Sequence, residues 1–144
     1  MKKILILLIM LASPIIFSKD NVEIKNAWVR EMIPGIRNSS AYFIIYNPTK
    51  EILKLQNAQS AYFETVELHS HSNIDGIMRM RKLDYVLIPA RGFVEFKMMS
   101  NHLMLFGLKE TYEKVKVGDK IPFTLVFKNK DKIKFNAIVK KPNL

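Results

Sequence analysis

Beyond residue 20 the chain runs in short stretches in which apolar and polar residues alternate with a period of two. Glu, Asn, Asp, Gly and Pro punctuate these stretches. Such runs, bounded by turn residues, are the mark of half-buried β-strands. Val22-Glu23-Ile24 leads into Ala27-Trp28-Val29. Met32 to Ser40 contains Pro34-Gly35 and predicts a loop. Ala41 to Tyr46 is β-branched and aromatic and stops at Asn47-Pro48. Further strands are predicted over Ile52–Leu55, Phe63–His69, Ile77–Leu83, Tyr85–Ile88, Phe93–Phe96 and His102–Phe106. Phe123–Phe127 and Ile133–Val139 predict a hairpin around Asn129-Lys130-Asp131. No stretch has a sustained helical period, and only Lys109 to Lys114 reads as a helical turn. The sum is an all-β, single-domain fold, a β-sandwich or Greek-key barrel.

The first residues break this pattern. Lys2 and Lys3 precede an almost unbroken apolar run from Ile4 to Phe17, and Ser18 is a small residue before Lys19-Asp20. This is the layout of a secretory signal peptide over residues 1–18. The run is short for a membrane span, which needs ~20 residues, and it contains Pro14. The expected mature domain is therefore 19–144, exported to the periplasm and without stable membrane insertion. A lipid anchor on cysteine is not expected, because the 144 residues include no cysteine.

Export without cysteine means that no disulfide supports the fold. It also removes the usual soft metal ligand. The formal charge is +10, and +8 without residues 1–18. The basic residues are spread through the alternating stretches, no nucleic-acid motif is present, and export argues against that partner. Such a charge reads first as a solvated basic surface, and second as steering toward an acidic protein or an anionic membrane surface.

The chemistry concentrates in one place. All three histidines (His69, His71 and His102) and five of the eight methionines (Met78, Met80, Met98, Met99 and Met104) lie between residues 69 and 104. Imidazole with thioether is a donor set for monovalent copper. A hairpin centred between Ile74 and Asp75 would set His69 opposite Met80 and His71 opposite Met78, with all four on one face. The same period puts His102 and Met104 on one face of their strand and sends Leu103 and Leu105 to the core. No set of carboxylates is expected beside the cluster. The ligands expected are His69, Met80, His102 and Met104, with His71 and Met78 as the nearest substitutes.

These residues follow the order His69, ten residues, Met80, twenty-one residues, His102, one residue, Met104. In this the chain resembles the PCu(A)C family of periplasmic copper(I) chaperones. The resemblance extends to Asn26-Ala27-Trp28-Val29-Arg30, Ser40-Ala41-Tyr42, Val66-Glu67-Leu68-His69, Gly76 to Arg81 and His102 to Leu108, and covers roughly residues 22 to 128. Ser70 stands where some members have an additional methionine. The chain also lacks the His- and Met-rich tail that some members carry, so no additional Cu(II) site is expected. The resemblance implies a cupredoxin-like β-sandwich, one Cu(I) per chain, and delivery toward the Cu(A) centre of cytochrome c oxidase subunit II. Enzymatic activity is not expected. The alternatives are general periplasmic copper buffering and a metal-free interaction sandwich. An electron-transfer cupredoxin would need a Cys thiolate, which is absent.

Overall fold

The computed structural model describes residues 21–142, so the expected signal peptide over 1–18 lies outside the described residues. Ten strands follow in order: β1 Glu23–Arg30, β2 Ser39–Asn47, β3 Leu53–Gln59, β4 Phe63–Ile74, β5 Ile77–Lys82, β6 Val86–Ile88, β7 Gly92–Phe96, β8 His102–Leu108, β9 Lys120–Phe127 and β10 Lys132–Lys140. The helical turn expected near Lys109 is a 3-10 turn over Glu110–Tyr112. Among the described residues no helix is long and apolar enough to cross a membrane.

The strands hydrogen-bond in the order β5-β4-β8-β2-β1-β10-β9-β3-β6, with β7 also paired to β2. Only the β1–β10 pair is parallel. The fold is all-β and single-domain with non-sequential strand neighbours, the cupredoxin-like arrangement expected from the sequence. One face of these strands supplies the core. Phe43 stacks on Phe96 with ring centroids 4.4 Å apart, and Phe135 closes on Phe43 at 5.2 Å. Leu103, Leu105, Ile45, Leu55, Ile88, Ile121 and Leu125 are fully buried around them. Long-range burial of this kind lets ~120 residues fold without a disulfide.

Two local features set which side chains share the outer face. In β1 the pairing with β2 shifts between Lys25 and Trp28, where Asn26 takes φ 53°. This bulge aligns Trp28 with Tyr42 and Val29 with Ala41, so the indole joins the outer face while Val29 enters the core. Asn tolerates left-handed backbone better than most residues. The second feature is the β4–β5 turn. Asp75 and Gly76 have φ of 54° and 80°. Both values are positive, as a two-residue type I′ hairpin requires.

That turn corrects the expected register. The hairpin is centred between Asp75 and Gly76, one residue later than read from the sequence. His71 therefore lies opposite Met80, Asn73 opposite Met78, and His69 opposite Lys82. The partners slip by two residues, which is one full side-chain period. The face assignment consequently survives although every opposing pair changes.

Candidate metal centre

β4 sits between β5 and β8, so its side chains have neighbours on both flanks. The β4–β8 register places His69 directly opposite His102 and Glu67 opposite Met104. Three rows result on the outer face. Met80 faces His71 in the first. Lys82, His69 and His102 form the second. Glu67 and Met104 form the third, with Ser40 of β2 beyond. Met80 is diagonal to His69, and Met104 is diagonal to His69 and two residues along β8 from His102. Such diagonal neighbours are ~7–8 Å apart at the backbone, within reach of long side chains. The expected quartet is thus brought onto one patch around the His69–His102 pair. Met78 sits one row further out, and His71 takes the place opposite Met80.

The rings confirm the proximity of the three histidines. His71 and His102 have centroids 5.0 Å apart, and His69 and His102 5.9 Å. Tyr42 lies 6.3 Å from His102 and Phe106 6.1 Å from His69. Trp28 packs on Tyr42 at 4.5 Å. These aromatics wall the patch on the side away from β5. His102 is buried, at 2% exposure, whereas Met80 on the edge strand is 47% exposed. Leu103 and Leu105 point into the core, as their alternation with His102 and Met104 requires.

Hydrogen bonding fixes which ring nitrogens carry protons. His102 Nδ1 lies 3.0 Å from the Ser100 carbonyl oxygen. A carbonyl only accepts, so Nδ1–H donates and Nε2 keeps the lone pair. His69 Nε2 lies 2.8 Å from Glu67 Oε2. An ionised carboxylate also only accepts, so Nε2–H donates and, in the neutral ring, Nδ1 keeps the lone pair. The other oxygen, Glu67 Oε1, accepts from Lys82 Nζ at 2.7 Å. These bonds from His69 and then Lys82 hold the Glu67 carboxyl below the usual carboxylate range. Burial is the main reason that His102 titrates below the ordinary imidazole value. The charges of His71 and His69 add to this, and the bond to Ser100 opposes it.

Two imidazole nitrogens are left over. His69 Nδ1 and His71 Nδ1 are buried and have no hydrogen-bond partner. An unsatisfied buried polar atom costs about 1–3 kcal/mol, a cost that a cation bound at these nitrogens would relieve. Among the described residues no three His, Cys, Asp or Glu side chains are grouped to hold a metal by themselves. A cation on this face would therefore draw on thioethers as well. Imidazoles flanked by Met80 and Met104 fit a soft monovalent ion far better than a hard dication.

Glu67 and Lys82 were not among the residues singled out from the sequence, which predicted no carboxylate set here. One carboxylate is present. The signal was available in Val66-Glu67-Leu68-His69, where a period of two puts Glu67 on the face of His69. Lys82 shares the face of Met80 by the same period, and the expected register already set it opposite Glu67; the actual one sets it opposite His69.

Comparison with known proteins agrees with this architecture. The model of the LpqE-like family, described as "Putative lipoprotein LpqE-like", matches residues 22–139. Uncharacterized protein RP573 of Rickettsia prowazekii is 32% identical over 104 residues, which cover 69% of this chain and 56% of that protein. The match thus spans little more than half the length of the curated relative. Among solved structures, the copper-bound PCuAC domain from PmoF2 superposes with a TM-score of 0.68 at 22% identity, over 84% of this chain and 93% of that one. Apo-DR1885 from Deinococcus radiodurans gives 0.65 at 28% identity, over 87% and 82%. The CuI form of DR1885 gives 0.62 at 30% identity, over 82% and 76%.

Proposed function

The chain belongs to the LpqE-like family, and from that footing we propose that it is an exported, periplasmic carrier of Cu(I). One ion binds per chain, held by His69, Met80, His102 and Met104. The observation that carries this reading is the pair of facing imidazoles, His69 and His102, each hydrogen-bonded through one ring nitrogen so that the other is left to bind, with thioethers on the same face. The copper named in the descriptions of the similar PmoF2 and DR1885 structures supports the same cargo.

The work of such a protein is ligand exchange, not catalysis. Thioethers and imidazoles hold Cu(I), and a thiolate-rich acceptor outcompetes them on softness. Exchange needs access. The exposed edge strand β5 carries Met80 at the solvent boundary, while His102 is fixed in the buried half of the patch. An acceptor can therefore displace Met80 first and leave the histidines until last. The acceptor is the Cu(A) domain of cytochrome c oxidase subunit II. The +8 charge of residues 19–144 favours an acidic docking face and makes docking salt-sensitive.

The test mixes Cu(I)-loaded protein with the apo, reduced Cu(A) domain and follows the metal by mass spectrometry. Transfer to the acceptor is the expected result. Copper that remains on this protein under excess acceptor would refute delivery. One-to-one Cu(I) binding without transfer would leave general copper buffering as the role.

A further inference from the structure

Beyond the four donors, the outer face carries a polar network that the ligand list does not use. Glu67 lies between two partners, accepting from His69 Nε2 at 2.8 Å and from Lys82 Nζ at 2.7 Å. Its side chain is 21% exposed and that of His69 is 12% exposed, whereas Lys82 reaches out to solvent. The network spans two strands. β4 supplies Glu67 and His69, and β5 brings Lys82 opposite His69 because the turn is centred on Asp75-Gly76. His102 is held differently, through Nδ1 to a backbone carbonyl. His71 has a buried Nδ1 with no partner.

We infer that Glu67, steadied by Lys82, is a positioning residue that commits His69 to bind metal through Nδ1, while His102 binds through Nε2. A histidine ligand is oriented by what its other nitrogen donates to, and a carboxylate in that place fixes both tautomer and ring angle. Glu67 meets this requirement because it can only accept. It therefore demands the proton on Nε2 and leaves the buried Nδ1 with a free lone pair, the same atom that lacks any protein partner. Lys82 occupies the second carboxylate oxygen and keeps Glu67 from turning toward the metal as a hard ligand. The donor set remains imidazole and thioether although a carboxylate lies beside it. Among the described residues no hydrogen bond orients the His71 ring, which separates it from the two oriented histidines.

The role of the pair depends on His69 binding copper, whereas the tautomer is a property of the metal-free protein. The test uses long-range 1H–15N spectra of the imidazole rings, and the protein has only three histidines to assign. In the metal-free protein His69 is expected as the Nε2–H tautomer and His102 as the Nδ1–H tautomer. One equivalent of Cu(I) should then shift Nδ1 of His69 and Nε2 of His102, opposite nitrogens of the two rings. Glu67→Gln keeps the shape but can donate as well as accept, so it no longer dictates the tautomer. Cu(I) affinity should fall about 10–100-fold, the usual effect of losing such a partner. Lys82→Met changes an exposed side chain and should weaken Cu(I) binding in the same direction, by less.

Finding His69 as the Nδ1–H tautomer in the metal-free wild type would overturn the assignment. So would a Glu67→Gln protein with both an unchanged His69 spectrum and wild-type Cu(I) affinity. A wild type that shows the expected tautomers but binds no Cu(I) would instead refute the carrier function, and the two failures are told apart in one set of spectra.

Discussion

Adjacent residues of β8 should fail in opposite ways. Leu103 is fully buried in the core, and Met104 projects from the other side of the same strand into the donor patch. Leu103→Ala removes roughly three methylene equivalents, about 2.4 kcal/mol at ~0.8 kcal/mol each. The cavity left in a packed interior raises the cost to about 3–5 kcal/mol. That is a large part of a typical domain stability of about 5–15 kcal/mol. At about 4 °C per kcal/mol for a domain of this size, the melting temperature should fall by about 12–20 °C. Copper binding by the fraction that stays folded should change little. Met104→Leu conserves volume and should cost less than about 1.5 kcal/mol of stability. It removes one thioether, and Cu(I) affinity should drop at least about tenfold, or ~1.4 kcal/mol. Thermal denaturation of the metal-free proteins and competition against a Cu(I) chelator read the two effects separately. If Met104→Leu lost stability like Leu103→Ala while keeping full Cu(I) affinity, the division of β8 into a core face and a donor face would be wrong.

Other outcomes follow from the same geometry. Met78→Leu should leave Cu(I) affinity unchanged, because Met78 pairs with Asn73 outside the donor rows, whereas His71→Ala should reduce it several-fold. A larger loss for His71→Ala than for His69→Ala in chelator competition would exchange the two in the ligand set. Gly76→Ala meets no atom within 4 Å but keeps φ at +80°, so backbone strain alone should cost about 1–2 kcal/mol, measured by denaturant unfolding. The metal-free protein should lose stability on acidification. His102 has a lowered folded-state value, so its contribution is complete above the unfolded value of about 6.5 and is lost as pH falls through the folded one. Glu67, also lowered, extends the loss below about pH 4.3. A denaturation midpoint that stays flat from pH 8 to pH 4 would contradict the His102 contribution, and one that stays flat on further acidification the Glu67 contribution. Zn(II) should bind far more weakly than Cu(I), since a thioether offers a dication little. Tight one-to-one Zn(II) binding by calorimetry would overturn the donor reading.

Much of this was legible in the chain itself. Period-two alternation located most of the strands, because a half-buried strand cannot hide its apolar side without it. β2 was legible instead in its β-branched and aromatic run, and β3 and β4 extend past their expected ends to Gln59 and Ile74. The same alternation assigned His69, His71, Met78 and Met80 to one face and sent Leu103 and Leu105 inward. A register slip of two residues leaves face membership intact, so that part was robust to the misplaced turn. Opposing partners were not robust. Whether Met80 faces His69 or His71 depends on where the backbone turns positive in φ, and Asp75-Gly76 decides that. Other facts came only from the tertiary structure. β8 returns beside β4, so His102 meets His69 across 33 residues of chain. The β1 bulge sets Trp28 against Tyr42 behind the site. Glu67 and Lys82 close on one another only once β4 and β5 are paired. Local pattern dictates what each strand can present, but strand order and register are settled by burying a shared core, and those choose which presented groups become neighbours.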